Sequence, residues 1–191
     1  MDYKTILAII AVVVGLIGYA PYLRDLFART TKPHAFSWLA WGVLESTAFF
    51  AQLAKGGGWG ALVTGFSAVI ALFVAGVAFA RKETEIKMLD WFALSGALIG
   101  IILWGLTSNP LLAVILVTVS DALAFIPTFR KSYAKPWQET LMEYFLSVVK
   151  WAIEIFALKI LNVTTVLYPA SLVLTNGLFV AMSFWRRKKL D

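Results

Sequence analysis

Apolar residues run along this chain in stretches long enough to cross a lipid bilayer, which takes about 20 residues of helix. Thr5–Leu23 holds no charge, Ala35–Ala54 holds only Glu45, and Gly56–Ala80 holds none. The uncharged run from Trp91 to Ser120 is too long for one span, and Ser108-Asn109-Pro110 breaks it. It therefore predicts a fourth helix near Asp90–Thr107 and a fifth near Leu111–Phe129, which carries Asp121. Thr140–Leu158 is apolar apart from Glu143, Lys150 and Glu154, and Ile160–Trp185 supplies a last span entered near Val163. Seven helices of about 20 residues leave only short loops. The first span reads as retained rather than cleaved: one lysine precedes it, no Ala-x-Ala-type site follows, and Arg24 and Asp25 come soon after.

Composition agrees with the pattern. Of the 191 residues 60% are hydrophobic and 15% charged, with a mean hydropathy of +0.80. Soluble domains carry roughly 25% charge, so this chain has too little polar surface for a water-soluble globule. The absence of cysteine excludes disulfides, thiolate zinc sites and thiol catalysis, and a single histidine argues against a multi-histidine metal site. The excess of six positive charges is a topology signal rather than a nucleic-acid footprint. Thirteen lysines and arginines follow the first, third, fifth and seventh spans, against three on the other side. Cytoplasmic loops retain positive charge. The expectation is an N-terminus outside and a C-terminus in the cytoplasm, in the plasma (inner) membrane of a prokaryote.

The chain also says something similar twice. Ala20-Pro21-Tyr22-Leu23-Arg24 after the first span answers to Ile126-Pro127-Thr128-Phe129-Arg130 after the fifth, and Lys32-Pro33 answers to Lys135-Pro136. The paired prolines stand 106 and 103 positions apart, and Ser67 and Ser171 in the third helix of each set stand 104 apart. Both triplets run in the same direction, so the fourth helix must invert the chain between them. The expected architecture is all-α: residues 1–80 form a first three-helix bundle, 81–108 a linker helix, and 109–191 a second, parallel bundle with a basic tail. Parallel repeats of this kind are a transporter device, with the solute site near midplane between the halves.

Seven helices in this arrangement, with proline motifs after the first and fifth, resemble the SWEET and PQ-loop superfamily. Pro127-Thr128-Phe129-Arg130 is similar to the Pro-Thr-Phe-basic run of its sugar facilitators. Pro21-Tyr22 stands in the place of the Pro-Gln dipeptide, and Tyr168-Pro169-Ala170 is similar to the Pro-Asn that opens the last helix of sugar-transporting members. Tyr22 and Thr128 replace glutamine in both copies, and Ala170 stands where the sugar-binding asparagine is expected. The resemblance thus implies the fold more than it implies sugar.

An ionisable group inside a span costs at least about 2.5–3.5 kcal/mol and needs a partner or a cavity. Glu143, Ser147, Lys150 and Glu154 are spaced 4, 3 and 4 apart and share one helical face. Trp38, Trp41, Glu45 and Gln52 share a face of the second helix. Glu45 and Lys150 both fall near midplane on equivalent helices. They are either a buried ion pair locking the halves, a pair that opens for substrate or a proton, or groups facing different helices. Lys150 and Glu154 also form an i,i+4 pair.

The candidate solute site comprises Trp41, Glu45, Ser67, Lys150, Trp151, Ser171 and Asn176. Glu45, Asp121, Lys150 and Glu154 are the candidate charge network for proton coupling, and Pro21, Pro33, Pro127 and Pro136 the candidate hinges. Trp59, Trp91, Trp137 and Trp185 read as interfacial belts, Gly96-x-x-x-Gly100 as a helix-contact motif, and His34 as a solvated loop residue. The expected function is alternating-access transport of a small polar solute. The alternative is a non-transporting receptor or sorting protein of the same fold. A retinal protein is excluded because the seventh span holds no lysine. No constellation for an enzyme, a metal or a cofactor stands out. Two triplets in one chain complete a pocket, so a monomer suffices, and a homo-oligomer is also allowed.

Overall fold

The computed structural model describes residues 2–81 and 109–190, together with Met88, Trp91, Phe92, Ser95, Leu98, Ile99, Ile102 and Leu106 of the connection between them. Its regular elements are helical: α1 (Tyr3–Phe27), α2 (Ala35–Ala54), α3 (Ala61–Ala80), α4 (Pro110–Ala134), α5 (Leu141–Ala157) and α6 (Val163–Leu190). Single 3-10 turns, Gly58–Gly60 and Pro136–Gln138, lead into α3 and precede α5. α4, α5 and α6 correspond to the fifth, sixth and seventh predicted spans. The fourth predicted span, Trp104 and the Gly96/Gly100 motif lie largely outside the described residues. The eight described positions between 88 and 106 are helical and exposed.

Local chemistry sets the helix ends. Asp2 accepts the Thr5 amide at 2.7 Å and starts α1. Asn109 accepts the amides of Leu111 and Leu112 ahead of Pro110 at the first position of α4. His34 caps α2 through its Nδ1, which takes the Ser37 amide at 3.3 Å. It is 8% exposed, so the expected solvated loop residue is a buried cap.

Three helices run through prolines that the sequence pattern places at or near their ends. α1 contains Pro21, α4 contains Pro127, and α6 contains Pro169. A proline inside a helix removes one N–H and disturbs the carbonyls a turn before it. Membrane helices tolerate this where a neighbour supplies a donor. Ser37 Oγ donates to the Ala124 carbonyl at 2.9 Å, three residues before Pro127. Gln52 Nε2 reaches the Thr165 carbonyl, four residues before Pro169, at 3.4 Å. α4 continues through Pro127 to Ala134, past the predicted end at Phe129, and α1 likewise runs on through Pro21 to Phe27, past Leu23.

The helices form a closed ring in the order α1, α5, α6, α4, α2, α3, with α3 returning to α1. α2 and α5 stand on opposite sides of it. Small residues permit the closest approaches. On α1 the buried positions Ala8, Ala11, Gly15 and Gly18 form one stripe. A Cβ on Gly18 would lie 3.1 Å from the Leu146 Cβ of α5, and one on Gly42 of α2 would lie 2.6 Å from the Leu72 side chain of α3.

Outside the ring the surface is apolar, with Ile6, Ile9, Val13 and Leu16 exposed on α1, Val69 and Phe73 on α3, and Leu174 and Leu178 on α6. Inside it, Glu45, Gln52, Asp121, Glu143, Lys150 and Glu154 are buried. This inversion of the soluble pattern, with charges inside and alkyl groups outside, is that of an integral membrane protein. Among the described residues four helical stretches are long and apolar enough to cross a bilayer: Tyr3–Phe27, Gly58–Ala80, Pro110–Ala134 and Val163–Leu190. α2 and α5, which carry the polar stripes, complete the ring between them.

Candidate functional site

At the centre of the ring lies a cavity of about 30 Å³ to which all six helices contribute. α1 gives Tyr19, α2 gives Trp38, Trp41 and Glu45, and α3 gives Ala71. α4 gives Phe125, α5 gives Glu143, Tyr144, Ser147 and Trp151, and α6 gives Leu172 and Asn176. Aromatic rings dominate the wall: Trp41 lies 5.3 Å from Trp38 and 4.6 Å from Phe125, centroid to centroid. Ser147 donates to Glu143 Oε1 at 2.8 Å, and Asn176 turns its amide to the Leu172 carbonyl at 2.8 Å. Glu45 is 6% exposed and its Oε2 is buried without a hydrogen-bond partner; Trp41 Nε1 is likewise buried without an acceptor.

Lys150 is fully buried beside this cavity and is held by neutral groups. Its Nζ donates to Ser67 Oγ at 2.8 Å and to Tyr19 OH at 3.1 Å. It also lies 4.1 Å from the Trp151 ring centroid and 4.8 Å from that of Tyr19. A desolvated cation over an aromatic face gains about 2 kcal/mol or more. Among the described residues Lys150 forms no ion pair within 4 Å, with Glu45 or with Glu154. The expected Lys150–Glu154 pair and the Glu45–Lys150 pair are both absent. The groups are taken by other neighbours: Lys150 turns to Tyr19 of α1 and Ser67 of α3, and Glu154 to Gln52 of α2 and Thr64 of α3. Gly15 completes the lysine's channel, since a Cβ there would come within 3.0 Å of the Lys150 Cδ.

Glu154 belongs to a separate buried cluster towards the end where α5 finishes. Its Oε1 accepts from Thr64 Oγ1 at 2.6 Å and from Gln52 Nε2 at 2.9 Å, which ties α5 to α2 and α3. Below it Lys4 donates to the Leu158 and Lys159 carbonyls, and the Lys159 amide to the Gly57 carbonyl. Gly60 lets the chain pass close to Ala157 and Leu158, where a Cβ would come within 2.7 Å of the Leu158 nitrogen.

The opposite, basic end is sealed by a second buried carboxylate. Glu139 Oε2 accepts from Tyr22 OH and from Tyr144 OH, both at 3.2 Å, and its Oε1 pairs with Lys131. Thr140 bridges Asp25 at 2.9 Å and Thr31 at 2.6 Å. Thr128 Oγ1 reaches Ser37 Oγ at 3.3 Å, and Lys131 Nζ the Lys32 carbonyl at 2.5 Å.

Of the residues singled out by sequence, Trp41, Glu45, Trp151 and Asn176 line the cavity. Ser67 sits behind the wall and holds Lys150. Ser171, its counterpart by spacing, does not reach the cavity: it is half-buried and donates to the Tyr168 carbonyl at 2.7 Å. Asp121 is buried against Tyr168 OH at 3.3 Å, away from the cavity wall. Pro21 and Pro127 lie within helices, and Pro33 and Pro136 are buried just ahead of α2 and α5. The sequence reading names Tyr22 only as the replacement of a motif glutamine, and does not single out Tyr19, Phe125, Glu139 or Tyr144. The signal for two of these was present, because Tyr19 and Tyr22 continue the Gly15/Gly18 stripe of α1 at helical spacing.

Comparison with protein-family models, with curated proteins and with solved structures finds no match for this chain.

Proposed function

We propose that this protein is an alternating-access transporter of a small polar solute, with residues 1–80 and 109–191 as the two moving halves. The observation that carries the reading is a cavity walled by all six helices and closed at both ends by polar contacts between those halves. The ring order supports two equivalent halves: exchanging α1 with α4, α2 with α5 and α3 with α6 reproduces the same circuit of neighbours. The proline motifs, and their resemblance to the SWEET and PQ-loop superfamily, support the same division.

α3 and α4 both run towards the basic end, which supports reading an inverting span in 81–108 and seven spans in all. The distribution of lysine and arginine then sets the N-terminus outside and the basic end in the cytoplasm. In such a cycle the Tyr22–Glu139 contact is a cytoplasmic latch and the Gln52–Glu154–Thr64 cluster an outer one. The buried Glu45 makes proton coupling part of the proposal.

The test is solute uptake into proteoliposomes with and without an inward proton gradient, over a panel of sugars, amino acids, amines and vitamins. Glu45→Gln and Lys150→Met are expected to abolish uptake while the protein keeps its monodisperse elution profile. Equal loss of uptake and of folding would refute a role in transport. Ligand binding by folded protein without any uptake would select a receptor.

A further inference from the structure

We propose that the solute is a small organic monocation, an alkylated or protonated amine that also carries an oxygen acceptor; this rests on the transport reading above. Glu45 is the starting point. A carboxylate this deeply buried is strongly unfavourable when ionised without a counter-charge or hydrogen-bond donors, and its Oε2 has no hydrogen-bond partner. Lys150 is near enough to act on Glu45 through its charge, but its ammonium bonds Ser67 and Tyr19 and rests on the Trp151 ring, with no ion pair to Glu45 within 4 Å. A second carboxylate, Glu143, lines the same cavity with one oxygen on Ser147. Two carboxylates thus line a cavity beside which Lys150 is the one buried lysine or arginine among the described residues, so a solute cation would complete the charge balance when both are ionised.

The walls suit a cation with alkyl substituents. Aromatic rings present a negative face, and a positive group held against several of them is stabilised without a hydration shell. Lys150 is itself an example, since its ammonium rests on Trp151 and Tyr19. Trp38, Trp41 and Phe125 offer the same surface beside Glu45. One turn of α2 from Glu45, the unpartnered Trp41 Nε1–H supplies a donor for an oxygen on the solute. In this closed form the cavity has room for about one water. The cation therefore binds as the halves part, and it displaces that water on closure.

Choline is a suitable probe, because its permanent charge prevents passive leakage across the bilayer and it carries one hydroxyl. Its neutral carbon isostere, 3,3-dimethyl-1-butanol, has the same shape without the charge. Binding to the intact detergent-purified chain is followed by tryptophan fluorescence, and uptake of labelled choline in proteoliposomes. The expected result is choline binding at least about 30-fold tighter than the isostere, lost in Glu45→Gln and partly restored in Glu45→Asp. Equal binding of the two isosteres by the unmodified protein overturns the proposal without recourse to any variant. So does uptake of a neutral sugar by a protein that ignores choline, which leaves the transport reading intact. Charge-dependent choline binding without uptake supports the ligand class and overturns transport instead.

Discussion

The hydroxyl of Tyr22 offers a way to separate a gate from a merely structural contact. It donates to Glu139 Oε2 at 3.2 Å, and so does the hydroxyl of Tyr144 at the same distance. The two bonds differ in one respect. Tyr22 is on α1 of the first half, whereas Tyr144 is on α5, five residues from Glu139 in the same half. Opening the basic end breaks the first bond and leaves the second intact. A hydrogen bond to a charged group contributes about 1.5–3 kcal/mol net. Because 3.2 Å is long for a hydroxyl on a carboxylate, the low end, about 1.5 kcal/mol, applies. Tyr22→Phe should therefore raise the population open to the basic side about tenfold, and Tyr144→Phe should leave it within about twofold. The chain contains no cysteine, so Ser147→Cys places a lone thiol in the cavity wall. Its rate of reaction with a membrane-impermeant thiol reagent, added on the basic side, reads the open fraction. Equal acceleration by both phenylalanine variants would refute the reasoning, as would none from Tyr22→Phe.

Three further outcomes are expected. Thr128→Val removes the corresponding contact with Ser37, which is neutral and 3.3 Å long, so labelling of the same thiol should rise only about two- to fivefold. Gly15→Leu drives a side chain into the Lys150 stem and the Phe66 ring and should cost about 1–3 kcal/mol, read as a lower melting temperature in detergent; Gly76→Ala, with nothing within 4 Å of the new atom, should cost nothing. Thr64→Val deprives Glu154 of its shorter donor at 2.6 Å and should lower thermal stability by about 1.5–3 kcal/mol, whereas Thr175→Val, where the hydroxyl donates within its own helix to the Ser171 carbonyl, should change it little.

How much of this was legible beforehand depends on whether a feature belongs to one helix or to several. The stripe Glu143, Ser147, Lys150 and Glu154 could be read because i,i+3 and i,i+4 spacing fixes a face whatever surrounds it, and all four residues are buried. What each residue meets could not be read, because that depends on which helix packs alongside. Lys150 looks out on α1 and α3, so it bonds Tyr19 and Ser67 rather than the Glu45 that midplane depth suggests. Prolines misled in a different way. Their place near the span ends suggests helix termini, yet α1, α4 and α6 continue through them. Only the packing of α2 against α4 and α6 supplies the Ser37 and Gln52 donors that occupy the disturbed carbonyls.

The two halves share a ring order but not a charge distribution. At the repeat spacing, Lys150 of α5 corresponds to Thr47 of α2, and Gly15 of α1 to Asp121 of α4. In the second half the polar load on the first helix is an acid against Tyr168; in the first half the same place is left empty so that a lysine stem can pass. The cavity is asymmetric as a result. Its aromatic positions do correspond, Tyr19 with Phe125 and Trp41 with Tyr144, while Glu45 has only Val148 as its counterpart. Both halves bring an acid to this wall, Glu45 on α2 and Glu143 on α5, but at positions that do not correspond. A solute with one charged end and one acceptor end needs the asymmetry. Removing the acid of α2 alone, as Glu45→Gln, leaves Glu143 in the wall and should lose choline binding while the elution profile stays monodisperse. Retention of binding by that variant would mean that a carboxylate anywhere in the wall, and not its placement on α2, selects the ligand.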